Sequence, residues 1–368
     1  MGKVSIIRIG QGIKQALHTA LERIGGLASA VRPGDSVLIK PNLNGVEGST
    51  NKELTAALLE LLRDNGAGRV LMAESTFGNE QMTDMFFKKT GFSELARQHN
   101  IPLVNLNRSQ AVTVKVAHPL VLETLQIARE ACEADVIINM PNMKVHYATG
   151  ITLALKNMKG VLVRDEKKHF HEVGLDKAIV DLNNTIKPAL NIADAIECME
   201  RMGPRGGDPV HLDLIMAGRE AAEVDYAGCQ IMGYAVSEVK HLEYFLDVNK
   251  VDTDRIEITG ERIEDVHYPF KKVNLAQVLP REIIIHSRNA CSACTNALLL
   301  SCQLLEKKPT GAADIYLGSL PDETVPAKGI RIGFGNCCPA DAGFNRVIKG
   351  CPPYPFALRE YLQSMELI

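Results

Sequence analysis

Nine cysteines occur in the chain, none before Cys132 and six between Cys291 and Cys351. A thiolate is both a nucleophile and a soft metal ligand, so such crowding points to metal or redox chemistry. Cys291-Ser292-Ala293-Cys294 forms a C-x-x-C pair just after a strand-like run at 283–285, where two thiols three apart can converge on one centre. Cys302 lies eight residues beyond Cys294, about 12 Å along a helix, too far to share a small site easily. Cys337-Cys338-Pro339 follows the strand-like run 331–334, and Cys351 opens a proline-rich loop. An odd thiol count, with no export signal read at the N-terminus, is a poor basis for a disulfide framework. Cys132, Cys198 and Cys229 are isolated and read as packing residues.

The loop Gly350-Cys351-Pro352-Pro353-Tyr354-Pro355, followed by Ala357-Leu358, resembles the one that gives a cysteine ligand to the proximal [4Fe-4S] cluster in hydrogenase small subunits and the related complex I subunit. Those families also carry an upstream Gly-x-Cys, which Gly335-Asn336-Cys337 resembles. The resemblance implies a [4Fe-4S] cofactor, and Cys291, Cys294, Cys337 or Cys338, and Cys351 would make a four-thiolate set for it, with Cys337 preferred. A tetrathiolate zinc site uses the same residue types, often as two C-x-x-C pairs, and only one pair is present. The ferredoxin run C-x-x-C-x-x-C-x-x-x-C-P is absent. A thiol redox pair and inert buried cysteines are the remaining readings.

A second set of residues is basic. At about 100° per residue, Thr149, Thr152, Lys156 and Lys159 fall on one stripe of a segment, 151–160, that is apolar on most other sides and reads as a helix. Ammonium groups on a buried helix need water, a carboxylate or a cavity. Lys144 and His146 lie on the approach to this segment, Lys40 and Asn42 where the strand 37–39 ends, and Glu74 just past the strand 70–72. Neighbouring parallel strands end on one side, so these positions converge on a pocket for a small anion. Lys40, Asn42, Lys144, Thr152 and Lys159 are the expected binding residues, with Lys156 and His146 as proton donors. The plain alternative is that the lysines reach out to solvent. His169 and His171 would point the same way only in an extended strand. They read as surface loop residues, with His171 a substrate contact at most. Asp194 and Asp225 read as capping or pairing acids.

The segments Val37-Leu38-Ile39-Lys40-Pro41-Asn42 and Leu153-Ala154-Leu155-Lys156-Asn157-Met158-Lys159-Gly160, with Ile192-Ala193-Asp194 and Val224-Asp225, resemble the domain-of-unknown-function 362 family over roughly residues 35–240. Members of that family often accompany or contain iron–sulfur centres, and many carry the ferredoxin-type run that this chain lacks.

These residues need a scaffold. Short continuous apolar runs, at 4–9, 37–39, 70–72, 136–138 and 212–216, alternate with amphipathic helical patterns. That pattern predicts an α/β fold with a mostly parallel sheet and helices on both faces, and a ligand edge at the strands' carboxyl ends. Thr50-Asn51-Lys52-Glu53 reads as a capping box, and residues 203–209 as a long loop. A boundary near 270 gives an α/β ligand-binding domain over 1–270 and a smaller α/β cysteine-rich region over 271–368. With 46% hydrophobic and 23% charged residues the chain is neither disordered nor fibrous, and a net charge of −3 offers nothing to nucleic acid or anionic membrane. No glycine-rich nucleotide motif and no apolar run of about 20 residues occurs. The expectation is a cytoplasmic iron–sulfur protein, a redox enzyme or electron-transfer protein acting on a small anionic substrate, with a redox protein as second partner. A homodimer is compatible with the sequence. The alternatives are a non-redox binding or assembly protein with a structural metal, and a lysine/histidine acid–base isomerase.

Overall fold

The structure is a computed structural model and describes residues 2–76, 80–288, 290–318 and 327–368. The chain forms two compact units, Met1–Val273 and Asn274–Ile368. The first contains strands β1 (Lys3–Arg8), β2 (Val37–Pro41), β3 (Val70–Glu74), β4 (Leu103–Asn105), β5 (Ala111–Lys115), β6 (Thr124–Ala128), β7 (Val136–Met140), β8 (Asn142–His146), β9 (Gly150–Thr152), β10 (Leu190–Glu200), β11 (Asp208–Gly218) and β12 (Glu257–Gly260). Ten of them make one sheet in the order β12-β1-β11-β10-β7-β2-β3-β4, with β8 added beside β10 and β9 beside β8, while β5 and β6 pair separately.

The fold is α/β, and the strands β10, β7, β2, β3 and β4 run parallel. The run at 212–216 departs from the parallel expectation, because it belongs to the eleven-residue β11, antiparallel to both β1 and β10. The connection after β10 is therefore the turn of a long hairpin, and β11 begins at Asp208. Period-two alternation sends Leu38 and Ile137 into the core on one face of the sheet and Val37, Ile39 and Ile138 into the core on the other. Each face is closed by helices whose apolar stripes face it. Ile13–Arg23 and Lys52–Asp64 cover one, and Leu175–Thr185 and Ala221–Met232 the other.

The second unit is a parallel sheet of β13 (Ile283–Arg288), β14 (Ala313–Gly318), β15 (Ile330–Phe334) and β16 (Arg346–Ile348), in chain order. Leu298, Leu358 and Leu362, from the helices Ser292–Gln303 and Ala357–Ser364, join Ile315, Ile332 and Phe334 in its core. Among the described residues no helix is long and apolar enough to cross a membrane.

Candidate functional site

In the first unit the chain places polar residues where β2, β7 and β10 run parallel, and buries them. Asn42, just past β2, donates from its amide to Asn157 Oδ1 at 2.9 Å. Asn157 donates to Asn139 Oδ1 at 2.8 Å and to the Lys40 carbonyl at 3.2 Å, and Asn139 donates to Asn191 Oδ1 at 2.8 Å. All four amides are buried. An unpaired buried amide is costly, so this ladder fixes the strand ends relative to the segment after β9.

That segment corrects the expected helix over 151–160. Residues 150–152 are β9, and the helix is only Ala154–Asn157, continued by a tight turn over Met158–Val161. Its first amides are held by Asp225, which accepts from Ala154 N at 2.5 Å and Leu155 N at 3.2 Å. Lys144 is likewise on a strand, not on a loop, and pairs directly across from Thr152. The capping arrangement also differs. Asn51 alone caps the helix, accepting from Leu54 N at 3.0 Å, because the Thr50 hydroxyl donates to the Met140 carbonyl at 2.7 Å and accepts from Asn42 N at 2.7 Å.

The lysines meet different fates. Lys40 is fully buried and bound to the Glu74 carboxylate at 2.7 Å and the Pro41 carbonyl at 2.6 Å. Burial holds its pKa down against the pull of Glu74. Lys144, equally buried, donates to neutral acceptors, the Asn42 Oδ1 at 3.0 Å and the Gly48 carbonyl at 2.5 Å. Burial, then the Lys156 charge, lowers it to about 7. Lys156 is partly exposed and makes no hydrogen bond or ion pair among the described residues. Burial lowers it to about 8 against the opposing charge of Asp176. Lys159 Nζ stands 2.6 Å from His171 Nε2.

Imidazoles complete the cluster. His146 Nδ1 accepts from Ala148 N at 3.1 Å, which leaves the hydrogen of the neutral ring on Nε2. Burial, then Lys156, His171 and Lys159, keeps His146 well below its ordinary pKa. His171 is depressed in the same way by burial, Lys159 and Lys156. The helix Arg164–Val173 replaces the extended reading of this segment, and its turn sends His171 to Lys159 while His169 stays exposed beside Glu166. Asp194 is buried and pushed up to about 6 by that burial, although it accepts from Asn51 N, Asn142 Nδ2 and Ile196 N. Arg205 anchors on the Asn44 carbonyl at 2.9 Å, and burial lowers it to about 10. Sequence reasoning missed Asn139, Asn157, Asn191 and Arg205. The signal for the first three was the recurrence of Asn in the short apolar segments, and Arg205 had none.

In the second unit, Cys291 stands at the N-cap position of the helix Ser292–Gln303, with Cys294 in its first turn. Cys337 follows β15 and Cys351 follows β16. Those two loops are tied by Asn336 N donating to the Gly350 carbonyl at 2.9 Å and Gly350 N donating to Asn336 Oδ1 at 2.8 Å. The Cys294 thiol is raised far above its ordinary value by Cys291 first, then by burial, with Cys351 and Cys337 adding to it. Gly335 has φ 119°, and a β-carbon there would stand 2.9 Å from the Cys294 sulfur. Cys338 turns elsewhere, donating from its buried thiol to the Tyr316 carbonyl at 3.2 Å. Cys302, Cys198 and Cys229 are buried, whereas Cys132, read as a packing residue, is exposed. Among the described residues, no three acidic, histidine or cysteine side chains converge closely enough for a single ion.

Residues 37–230 match the family described as Domain of unknown function (DUF362). The thylakoid-associated protein sll1697 of Synechocystis sp. is 31% identical over 229 residues, which is 59% of this chain and 69% of that protein. Among solved structures, the lactate racemase apoprotein from Thermoanaerobacterium thermosaccharolyticum aligns with 86% of this chain and 69% of its own, at 14% identity and a TM-score of 0.43. A Thermotoga maritima protein aligns with 85% of this chain and 73% of its own, at 14% identity and a TM-score of 0.42.

Proposed function

We propose that this chain, which belongs to the DUF362 family, is an iron–sulfur protein that exchanges electrons with a small anionic substrate. The observation that carries this reading is that the loops bearing Cys337 and Cys351 are bonded together through Asn336 and Gly350, with Gly335 beside the Cys294 sulfur. The donor set fits a [4Fe-4S] cluster. Its four thiolates would each bind a different iron, and Cys291, Cys294, Cys337 and Cys351 supply four. Gly335 leaves the space beside Cys294 that a side chain would fill. Cys338, committed to Tyr316, leaves Cys337 as the ligand on that loop.

Such a cluster supplies single electrons. The anion is held in the first unit by Lys156 and Lys144, neither of which has a carboxylate within ion-pair distance among the described residues, with Thr152 opposite Lys144 and Lys159 beside His171. Lys40 and Asn42 contribute differently from expectation: Lys40 neutralises Glu74, and Asn42 positions Lys144. His146, neutral with Nε2–H, offers a hydrogen bond to the anion, and Lys156, held down to about 8, is the proton donor. A separate redox protein supplies or accepts the electrons. Anaerobically purified protein with no iron, no acid-labile sulfide and no absorbance near about 400 nm would remove the proposal.

A second reading is favoured by one observation. His146 and His171 come from different elements, both feel Lys156, and both are held neutral. Paired neutral imidazoles around an anion-binding lysine suit acid–base isomerisation. In that case Lys156→Met abolishes turnover while Cys351→Ala leaves it largely intact.

A further inference from the structure

His241, on the helix Lys240–Val248, is fully buried, yet among the described residues neither ring nitrogen makes a hydrogen bond. Nδ1 lies 3.5 Å from Asp176 Oδ1 and Nε2 lies 3.9 Å from Asp225 Oδ2. Asp176 Oδ1 is itself without a hydrogen-bond partner among the described residues. Buried polar groups are rarely left unmatched, so a donor–acceptor order along these three residues is called for. Titratable groups reach the ring from four elements: Asp176 from Leu175–Thr185, Asp225 from Ala221–Met232, Lys156 from Ala154–Asn157, and His146 from β8.

We infer that His241 is a positioning residue for Lys156: the neutral ring is held between a protonated Asp225 facing Nε2 and an anionic Asp176 toward which Nδ1–H points. The ring stays neutral, and the one negative charge of the three residues rests on Asp176, the acid that acts on Lys156. Burial supports this order, since it pushes Asp225 up to about 8 and holds His241 below its ordinary value. The inference deepens the anion-site reading, and rests on it only for what Lys156 binds.

The test is acetic anhydride labelling of Lys156 in the intact protein between about pH 6 and 10, quantified by peptide mass spectrometry. The wild-type midpoint is expected near about 8. Asp176→Asn and His241→Phe should lower it by about one pH unit, making Lys156 up to tenfold more reactive at pH 7. Asp225→Asn should leave it in place, because the neutral amide can still accept from the backbone and present an N–H to Nε2. A His241→Phe midpoint equal to wild type overturns the inference. Where His241→Phe does not fold, Asp225→Asn decides, and a shift as large as that of Asp176→Asn overturns it. Sulfate, fully ionised over this range, is titrated in parallel by calorimetry. If wild type does not bind sulfate while the labelling pattern holds, the anion-site reading fails and the positioning role stands. If sulfate binds and the labelling pattern is absent, only the positioning role falls.

Discussion

Lys40 Nζ lies 2.7 Å from Glu74 Oε2 with both side chains out of water, so two charges that would each be costly alone cancel inside the fold. Lys156 has no such partner among the described residues. The two lysines therefore stand in different settings, and under the proposed function the first has a structural part and the second holds the anion.

Lys40→Met should leave the Glu74 carboxylate buried and unpaired and cost about 3–5 kcal/mol. Lys156→Met should leave stability unchanged or slightly raised while weakening sulfate binding at least tenfold. Urea unfolding and calorimetry on the two variants check this, and equal destabilisation of both would contradict it.

Asn157→Ala should orphan Asn42 and Asn139 together, at about 1–3 kcal/mol for each buried group left unmatched. It should also weaken anion binding, because Asn42 orients Lys144. The corresponding change at the exposed Asn345, whose Oδ1 accepts from Arg331 N in the second unit, should leave anion binding unchanged.

Each buried group should shape stability in its own pH window, read as the difference between wild type and variant. Burial raises Asp194 to about 6. Between the unfolded value of about 4 and that value the native chain keeps the Asp194 proton, so this group's contribution falls as pH rises, while His146, His171 and His241, held below their ordinary values, oppose it. Lys144 and Lys156, held down to about 7 and about 8, contribute stability that grows from there up to 10.5. Urea midpoints from about pH 4.5 to 9.5 should show Asp194→Asn gaining on wild type between about pH 4.5 and 6 and Lys156→Met losing ground to it above about pH 8; curves parallel to wild type would contradict this.

Cys338→Ser should retain iron, and Cys337→Ser should lose most of it, since Cys338 is bound to the Tyr316 carbonyl and Cys337 acts on Cys294. Cys302→Ser, buried late in its helix, should also retain iron. Iron and sulfide analysis of the three variants decides.

The α/β class and the edge that carries the lysines were legible because apolar runs and strand ends are local signals. Lys156 and Lys159 stood out through their spacing, although β9 and a short helix replace the expected long one. What stayed hidden depends on tertiary contact. Nothing local tells Lys40 from Lys144, because the difference is Glu74, thirty-four residues away from Lys40. The bond from Asp225 to the amide of Ala154 spans seventy-one residues. His241 carried no motif, and only its burial between two acids marks it. The antiparallel β11 was hidden for a related reason: a strand buried in the middle of a mixed sheet reads like a parallel one.

Anaerobic reconstitution with iron and sulfide in the presence of equimolar zinc, followed by metal analysis and electron paramagnetic resonance of the dithionite-reduced protein, tests the central claim most directly. The account predicts about four irons and four sulfides per chain and a reduced-cluster signal that is lost in Cys351→Ser. Zinc at one per chain, with no iron and no signal, would contradict it.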